Sequence, residues 1–374
     1  MTRDFRNEFP ITNQWAFLNH ANVAPLCRRV QQKLQEWAED ITANGDVHMD
    51  RWFHEIEEVR KTAAQLLGAS PREVAFLKST SEGLSLVAEG FPWLPGDNVV
   101  LAEGEYPANV YPWLHLQAKG VHVKIVPCRG TRIVIEDLAA AIDSRTRLLS
   151  ISFVQFATGF RSDLTAIGEL CLARHIDLCV DAIQGLGVFP IDVRAMHIDY
   201  LSSNSHKWLL SPQGAAIFYI SEAKLEKICP ISVGWKSVAD PHNYSKLDFR
   251  LKDDARRFEC GSFIVPSVVG LGASLSLIEE TGISAIAALV KTVTDYLVEG
   301  LHDAGAQIVS SREREEWSGI VSFILPGKNP AEVVRCCRDR NVILSHRAGR
   351  LRASPHFYND RDDIDRLIEA LGDV

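Results

Sequence analysis

The chain lacks any C-x-x-C pair among its eight cysteines, Cys27, Cys128, Cys171, Cys179, Cys229, Cys260, Cys336 and Cys337. That absence speaks against a zinc site and against a disulfide framework. Most of the thiols are expected to be buried and reduced, and Cys336 and Cys337, neighbours on an expected helix, diverge rather than form a metal or redox pair. No window approaches the roughly 18 apolar residues that span a bilayer. Positive charge is not in excess: 40 Lys and Arg against 48 Asp and Glu give a formal net charge of -8 and an isoelectric point near 5.9. Neutralising a phosphate backbone is therefore not the main task, and nucleic acid is not an expected partner. Residues 1–15 have neither the apolar core of a signal peptide nor the Arg-rich, acid-free character of a transit peptide, which sets the expectation of a cytoplasmic protein without membrane attachment.

What is present is an alternation. Seven apolar segments, at 73–79, 98–106, 122–128, 147–155, 176–182, 199–205 and 215–220, read as buried strands. Amphipathic stretches at 59–67, 81–91, 136–142 and 164–175 read as helices between some of them. Strands linked by such helices imply right-handed crossovers and a mainly parallel sheet covered on both faces. After about residue 250 the texture shifts to long helical segments with few strands. A chain of 374 residues exceeds what one core usually serves. The expected architecture is α/β, with a large domain over residues 21–250 and a smaller α+β domain from residues 1–20 and 251–374.

Ligands of an open parallel sheet sit beyond the carboxyl ends of its strands, and three polar strings fall there. Ser79-Thr80-Ser81-Glu82-Gly83 offers hydroxyls and helix-start N–H groups to a phosphate. Taken alone, it is a plain N-cap with Glu82 in the first turn. Asp181 ends the apolar run 176–180 and needs a partner. The pyridine nitrogen of pyridoxal 5'-phosphate (PLP) is one, since a carboxylate there keeps the nitrogen protonated and the ring an electron sink. An isolated aspartate at this place is also a turn or cap residue. Lys207 follows the strand at 199–205 and precedes a turn at 211–214. In a pocket walled by Trp208 it would lose hydration, which lowers its pKa and favours imine formation.

The strings HKWLLSPQG (206–214), VDAIQG (180–185) and STSEG (79–83) resemble the class V aminotransferase group of fold-type I PLP enzymes. That group includes cysteine desulfurases, selenocysteine lyases, cysteine C-S lyases and isopenicillin N epimerase-like proteins. The resemblance runs from FLNHANVAPL (17–26) through EYPANVYPW (105–113), VQFATGF (154–160) and RFECGSF (257–263) to LRASPHFYN (351–359). It implies a seven-stranded, mainly parallel sheet in the large domain. It also implies that Lys207 is the Schiff-base lysine and moves the α-proton, that Asp181 pairs with the pyridinium, and that Gln184 donates to the phenolate oxygen. Thr80, Ser81 and His206 match phosphate contacts. Asn204 stands where many relatives have a phosphate-binding serine, which makes Ser203 or Ser205 a candidate substitute. Tyr106 takes the place of the aromatic residue stacked on the ring, a histidine in desulfurases, and Phe156 replaces an asparagine, with Gln155 expected to point away. Arg352 matches the arginine that holds the substrate α-carboxylate in a bidentate fork, against the reading of Arg347, Arg350 and Arg352 as solvated loop charges. His20, Asn22 and Trp235 are candidates for shaping the substrate pocket. Ser262 matches a hydroxyl reaching the phosphate of a neighbouring subunit, which implies a homodimer with shared active sites.

The reaction is narrowed by what precedes Arg352. Desulfurases place a mobile persulfide-forming cysteine there, whereas residues 342–350 contain none. Only a thiolate can take sulfur as a persulfide. Cys260 is the one conceivable stand-in, and a small buried residue is the expectation for it. The sequence therefore favours β-elimination from a cysteine-type amino acid, with transamination or epimerisation as alternatives and no metal. A non-catalytic PLP-fold binding protein is a further class, opposed by the retention of Lys207, Asp181 and Gln184.

Overall fold

The computed structural model describes residues 5–372. The chain enters through a two-residue strand, β1 (Ala16–Phe17), and two long helices, α1 (Arg28–Asn44) and α2 (Met49–Leu67). The expected alternation follows. Its elements are β2 (Val74–Leu77), α3 (Thr80–Gly90), β3 (Asn98–Ala102), α4 (Tyr111–His115), β4 (His122–Val126) and α5 (Ile135–Ala141). Next come β5 (Thr146–Ser152), α6 (Leu164–Arg174), β6 (Asp177–Asp181), β7 (Tyr200–Asn204) and β8 (Ala216–Ile220).

Strands β2 to β8 form one seven-stranded sheet in the order β2-β8-β7-β6-β5-β3-β4. All neighbours are parallel except β8, which runs antiparallel to both β2 and β7. No helix lies between β7 and β8. The loop 205–215 joins them, its ends held together by Ser205 N donating to Ala215 O at 3.0 Å, so the chain comes back antiparallel. β4 departs from the expected buried strand: it is the sheet edge, paired only to β3, and most of it is at least partly exposed.

Two local features aim α3 at the site. Ser79 accepts from Glu82 N at 3.2 Å, the N-cap read from the sequence. A Cβ on Gly83 would lie 2.4 Å from Ser202 Oγ, so only glycine lets α3 lie flush on β7 with its N-terminus at the strand end.

The remaining elements are α7 (Val265–Thr281), α8 (Ile283–Asp303), β9 (Gln307–Ile308), β10 (Val321–Ile324), α9 (Pro330–Asp339), β11 (Val342–Ile343), β12 (Ser345–Arg347), β13 (Arg350–Ala353) and α10 (Arg361–Gly372). β12-β13-β10-β9 make an antiparallel sheet, and β11 pairs in parallel with β1. α7 packs on α1 and α2, joining Val269, Leu271 and Leu275 to the core that holds Val59 and Ala63. α8 then crosses between cores. Ile286 and Val290 belong to the first, while Leu297 and Leu301 pack with Leu18, Phe323, Val333 and Leu367 in the second. Each such buried aliphatic side chain contributes about 1.5–3 kcal/mol before entropy is counted. Among the described residues no single helix is long and apolar enough to cross a membrane.

Candidate active site

A cavity of ≈ 350 Å³ opens at the carboxyl ends of β6 and β7, against the start of α3 and under the β12–β13 hairpin. Asp181, the last residue of β6, and Lys207, just past β7, both line it. Parallel pairing sets Asp181 opposite Ser202, five residues before the lysine. Burial pulls the Lys207 ammonium down to about 8, with Asp181 opposing the fall and Arg352 and Arg347 adding to it. Its Nζ lies 5.6 Å from the centre of the Tyr106 ring. Asp181 is pushed the other way, up to about 6, by burial, and it accepts one hydrogen bond, from Ile183 N at 3.0 Å.

Trp208 is not a wall of this pocket. It is fully buried in the core, where its indole N–H donates to Gln184 Oε1 at 2.7 Å. Gln184 Nε2 donates to Ala21 O at 3.0 Å. These two bonds fix the amide on the cavity lining and leave Gln184 a second N–H to give.

At one end the cavity meets Ser79, Thr80 and Ser81 at the α3 N-terminus, with Asn204 and His206. Thr80 Oγ1 accepts from Asn204 N at 2.8 Å and keeps its own proton to donate. Asn204 Oδ1 and His206 Nδ1 are buried without hydrogen-bond partners. Burial, then Lys207, lowers His206 to about 4, so its imidazole is neutral at physiological pH. The proposed serine substitutes for Asn204 fail on geometry. Ser205 Oγ is committed to Pro212 O and Ala215 O, each at 2.8 Å. Strand alternation turns Ser203 away from the α3 side, where Ser202 Oγ meets Thr80 O.

At the other end stands Arg352, 1% exposed. Its Nη1 donates to Phe156 O at 2.7 Å and its Nε to Ser345 Oγ at 3.3 Å, while Nη2 is buried without a partner. Among the described residues no carboxylate pairs with it, and burial followed by Arg347 lowers it to about 9. Tyr106 and Phe156 meet edge to face at 5.1 Å beside it. Asn22 and Arg347 complete this end.

Other candidates lie elsewhere. His20 is fully buried and off the cavity: one ring nitrogen meets Ser354 O at 2.9 Å and the other Tyr358 Oη at 2.8 Å. With both nitrogens engaged and the ring packed against Trp208 and His356, it ties the loop after β1 to Ser354 and Tyr358 and does not line this pocket. Trp235 is 41% exposed and does not line the cavity. Ser262 is exposed in a second cleft with Cys260, which is exposed rather than buried and stands apart from Lys207. Four of the eight cysteines, Cys27, Cys171, Cys179 and Cys337, are buried, and all eight are free. No metal-binding cluster occurs among the described residues.

Sequence reasoning passed over Glu105. Its carboxylate is buried and accepts from Ser152 N at 2.8 Å, Gln155 Nε2 at 2.9 Å, Asn109 Nδ2 at 2.9 Å and Ser152 Oγ. It thereby ties the loop that carries Tyr106 to the segment that carries Phe156, and it turns Gln155 away from the cavity that Phe156 lines. Burial raises Glu105 from 4.5 to about 7, with Asp181 adding to the rise. Between those two values the folded chain holds a proton that the unfolded chain releases, so stability falls as pH rises through the window. Glu105→Gln is neutral throughout. In the cofactor-free chain it is expected to gain on wild type between about pH 5 and about pH 8, by up to about 3 kcal/mol. Urea midpoints at the two pH values measure this, and a pH-independent difference would refute it.

A parallel sheet ending in a lysine beside a buried aspartate, with an anion cradle at a helix start, defines a fold-type I PLP site. The cavity fits the cofactor by its own chemistry: the free Thr80 hydroxyl proton, the unpartnered His206 Nδ1 in its N–H tautomer and helix N–H groups suit the phosphate, and Asp181 suits a pyridinium. The class-V aminotransferase model matches residues 16–367, and the chain belongs to that family of PLP-dependent enzymes. It is similar to a probable cysteine desulfurase of Methanothermobacter thermautotrophicus, 28% identical over 100% of this chain and 98% of the relative. It also resembles the uncharacterized aminotransferase YcbU of Bacillus subtilis, 26% identical over 99% and 97%. Among solved structures, the cystine C-S lyase C-DES bound to cysteine persulfide superposes with a TM-score of 0.92 at 22% identity, covering 98% of this chain and 99% of that one. The apo cysteine desulfurase of Thermococcus onnurineus gives 0.91 at 24%, covering 99% and 97%.

Proposed function

We propose that this PLP enzyme is a C-S lyase, cleaving a small cysteine-type amino acid by β-elimination without an enzyme persulfide. The observation that carries the reading is the β12–β13 hairpin. β12 ends at Arg347 and β13 starts at Arg350, so the connection is the two-residue turn Ala348-Gly349, with φ of 49° and 74°. No cysteine lies in it, and none lines the cavity. A thiolate has no mobile segment here on which to reach the substrate sulfur.

In this reading Arg352 grips the α-carboxylate through its free Nη2. Lys207, whose amine burial lowers to about 8, removes the α-proton. Bound PLP supplies the electron sink for the pair that proton leaves behind. Asp181 keeps the ring nitrogen protonated, Gln184 gives its spare N–H to the phenolate oxygen, and Thr80, Ser81 and His206 hold the phosphate. Tyr106 stacks on the ring, with Phe156 edge to face beside it. The Cβ–S bond then breaks, the sulfur leaves as a thiol, and water completes the products: RSCH₂CH(NH₃⁺)COO⁻ + H₂O gives RSH, pyruvate and NH₄⁺. The same reading carries a homodimer, with the exposed Ser262 of each subunit reaching the other's phosphate site beside Ile264, which is 48% exposed.

The test offers cysteine and S-alkylcysteines to the holoenzyme and measures pyruvate and ammonia. Equal pyruvate and thiol, independent of added dithiothreitol, are expected. Keto-acid formation that requires a second keto acid would replace elimination by transamination, and solvent-proton exchange with loss of optical activity would replace it by epimerisation.

A further inference from the structure

The pairing register of the hairpin places three arginines, Arg347, Arg350 and Arg352, on one side. Ser345 faces Arg352 and Arg347 faces Arg350, so all four share a face, while Leu351 between them turns into the small-domain core. Both Arg347 and Arg352 line the cavity. They are not equivalent. Arg352 lies deep, clamped by Phe156 O and Ser345, with one free donor for a carboxylate. Arg347 sits at the last position before the turn, nearer the mouth. Its Nη2 rests on Asn22 Oδ1 at 3.4 Å and its Nη1 on His346 O at 2.7 Å. Among the described residues no carboxylate pairs with either guanidinium, and Asp181 is the single acid on the cavity lining.

A planar cation held by a neutral amide and a carbonyl is oriented but not neutralised. Once Asp181 is used by the cofactor ring and Arg352 by the α-carboxylate, Arg347 still faces the cavity with nothing anionic to meet. The two-residue turn keeps its reach short. Arg347 also depresses the pKa of both Arg352 and Lys207, which places its charge within electrostatic range of the reacting end.

We infer that Arg347, steadied by Asn22, is a distal-anion subsite, so that the substrate is a β-substituted alanine whose leaving group ends in a carboxylate. The inference rests on the lyase reading for the reaction, though not for the binding. It gives Asn22 a role as a positioning residue for Arg347 and makes Arg347 the determinant of side-chain choice.

The test uses a pair that differs in charge and hardly in shape, S-carboxymethyl-L-cysteine and its amide, S-carbamoylmethyl-L-cysteine. Dissociation constants come from absorbance titration of the holoenzyme, and kcat/KM from pyruvate release. A charge-assisted hydrogen bond predicts a preference for the acid of roughly 10- to 100-fold in both quantities. In Arg347→Gln the ratio should collapse towards one, and Arg347→Lys should restore part of it. A ratio near one in the wild type, or a preference that survives Arg347→Gln, overturns the subsite. If the acid binds more tightly through Arg347 but neither compound releases pyruvate, the subsite stands and the elimination reading fails.

Discussion

Lys207→Ala is expected to cut turnover by about 10,000-fold or more, the upper range for a group that moves a proton in the rate-limiting step. Three observations make this the largest effect in the molecule. Lys207 forms no ion pair among the described residues, so nothing but the cavity holds its amine. Burial lowers it from 10.5 to about 8. At about pH 7.5 that puts roughly a quarter of the amine in its neutral, basic form, whereas an ordinary lysine would have about one part in a thousand. No other lysine lines the cavity. Lys207→Arg should not rescue, because a guanidinium stays charged and cannot take the proton. The loss must not come from unfolding. Because the folded value is depressed, the buried ammonium is a destabilising charge at every pH below about 8, and its removal leaves the cofactor-free chain at least as stable. Steady-state rates paired with urea melts check both parts. Turnover within about tenfold of wild type would sink the assignment of Lys207 as the base.

Much of this site was legible because the sheet writes it into the sequence. An apolar run that stops on a charged residue marks a strand end, as at Asp181, and Lys207 lies just past the next strand, one strand over. Their meeting in one cavity needs only parallel pairing. The α3 start was legible for the same reason, since Ser79 is both a cap and a neighbour of the cavity. What sequence could not show is the side to which a residue turns and the partner it finds far along the chain. His20 sits in the same short loop as Asn22, but its partners Ser354 and Tyr358 lie more than 330 residues away, and they draw it inward while Asn22 faces the cavity. Trp208 follows the lysine directly, and adjacency in sequence reads as a shared pocket. The chain turns there, and the indole serves Gln184 from behind. Glu105 escaped notice because a glutamate in a loop reads as solvated. Only folding brings Ser152, Gln155 and Asn109 around it, and the cue in the sequence was its place one residue after Gly104 at the end of a buried strand. In sequence Arg347 is one of three arginines close together; pairing of β12 with β13 puts it on the face of Arg352, and burial sets Arg352 the deeper of the two.

Arg352→Met is expected to move activity and stability in opposite directions. The guanidinium is buried, makes two hydrogen bonds to neutral acceptors, and has no anion to compensate its charge. Burial lowers it from 12.5 to about 9, so at pH 7, below both values, the folded chain bears the whole cost of that charge. Methionine fills nearly the same volume without it. Replacing a buried ionic group by an apolar one of similar size stabilises by about 1–4 kcal/mol in favourable cases. The lost bonds to Phe156 O and Ser345 offset part of this gain, which leaves about 1–2 kcal/mol for the cofactor-free chain. Substrate binding loses in return. A buried carboxylate left without its cation costs about 2–5 kcal/mol, which predicts a fall in kcat/KM of roughly 30- to 5,000-fold. Arg352→Lys keeps a charge but not the planar fork, so it should recover only part of the activity. The opposition of signs discriminates between roles. A clamp that merely supports the Phe156 segment would make the variant less stable and leave substrate affinity near wild type. An arginine kept for substrate makes the chain less stable by its presence and the enzyme more active, the trade expected where a binding group is held ready before its partner arrives.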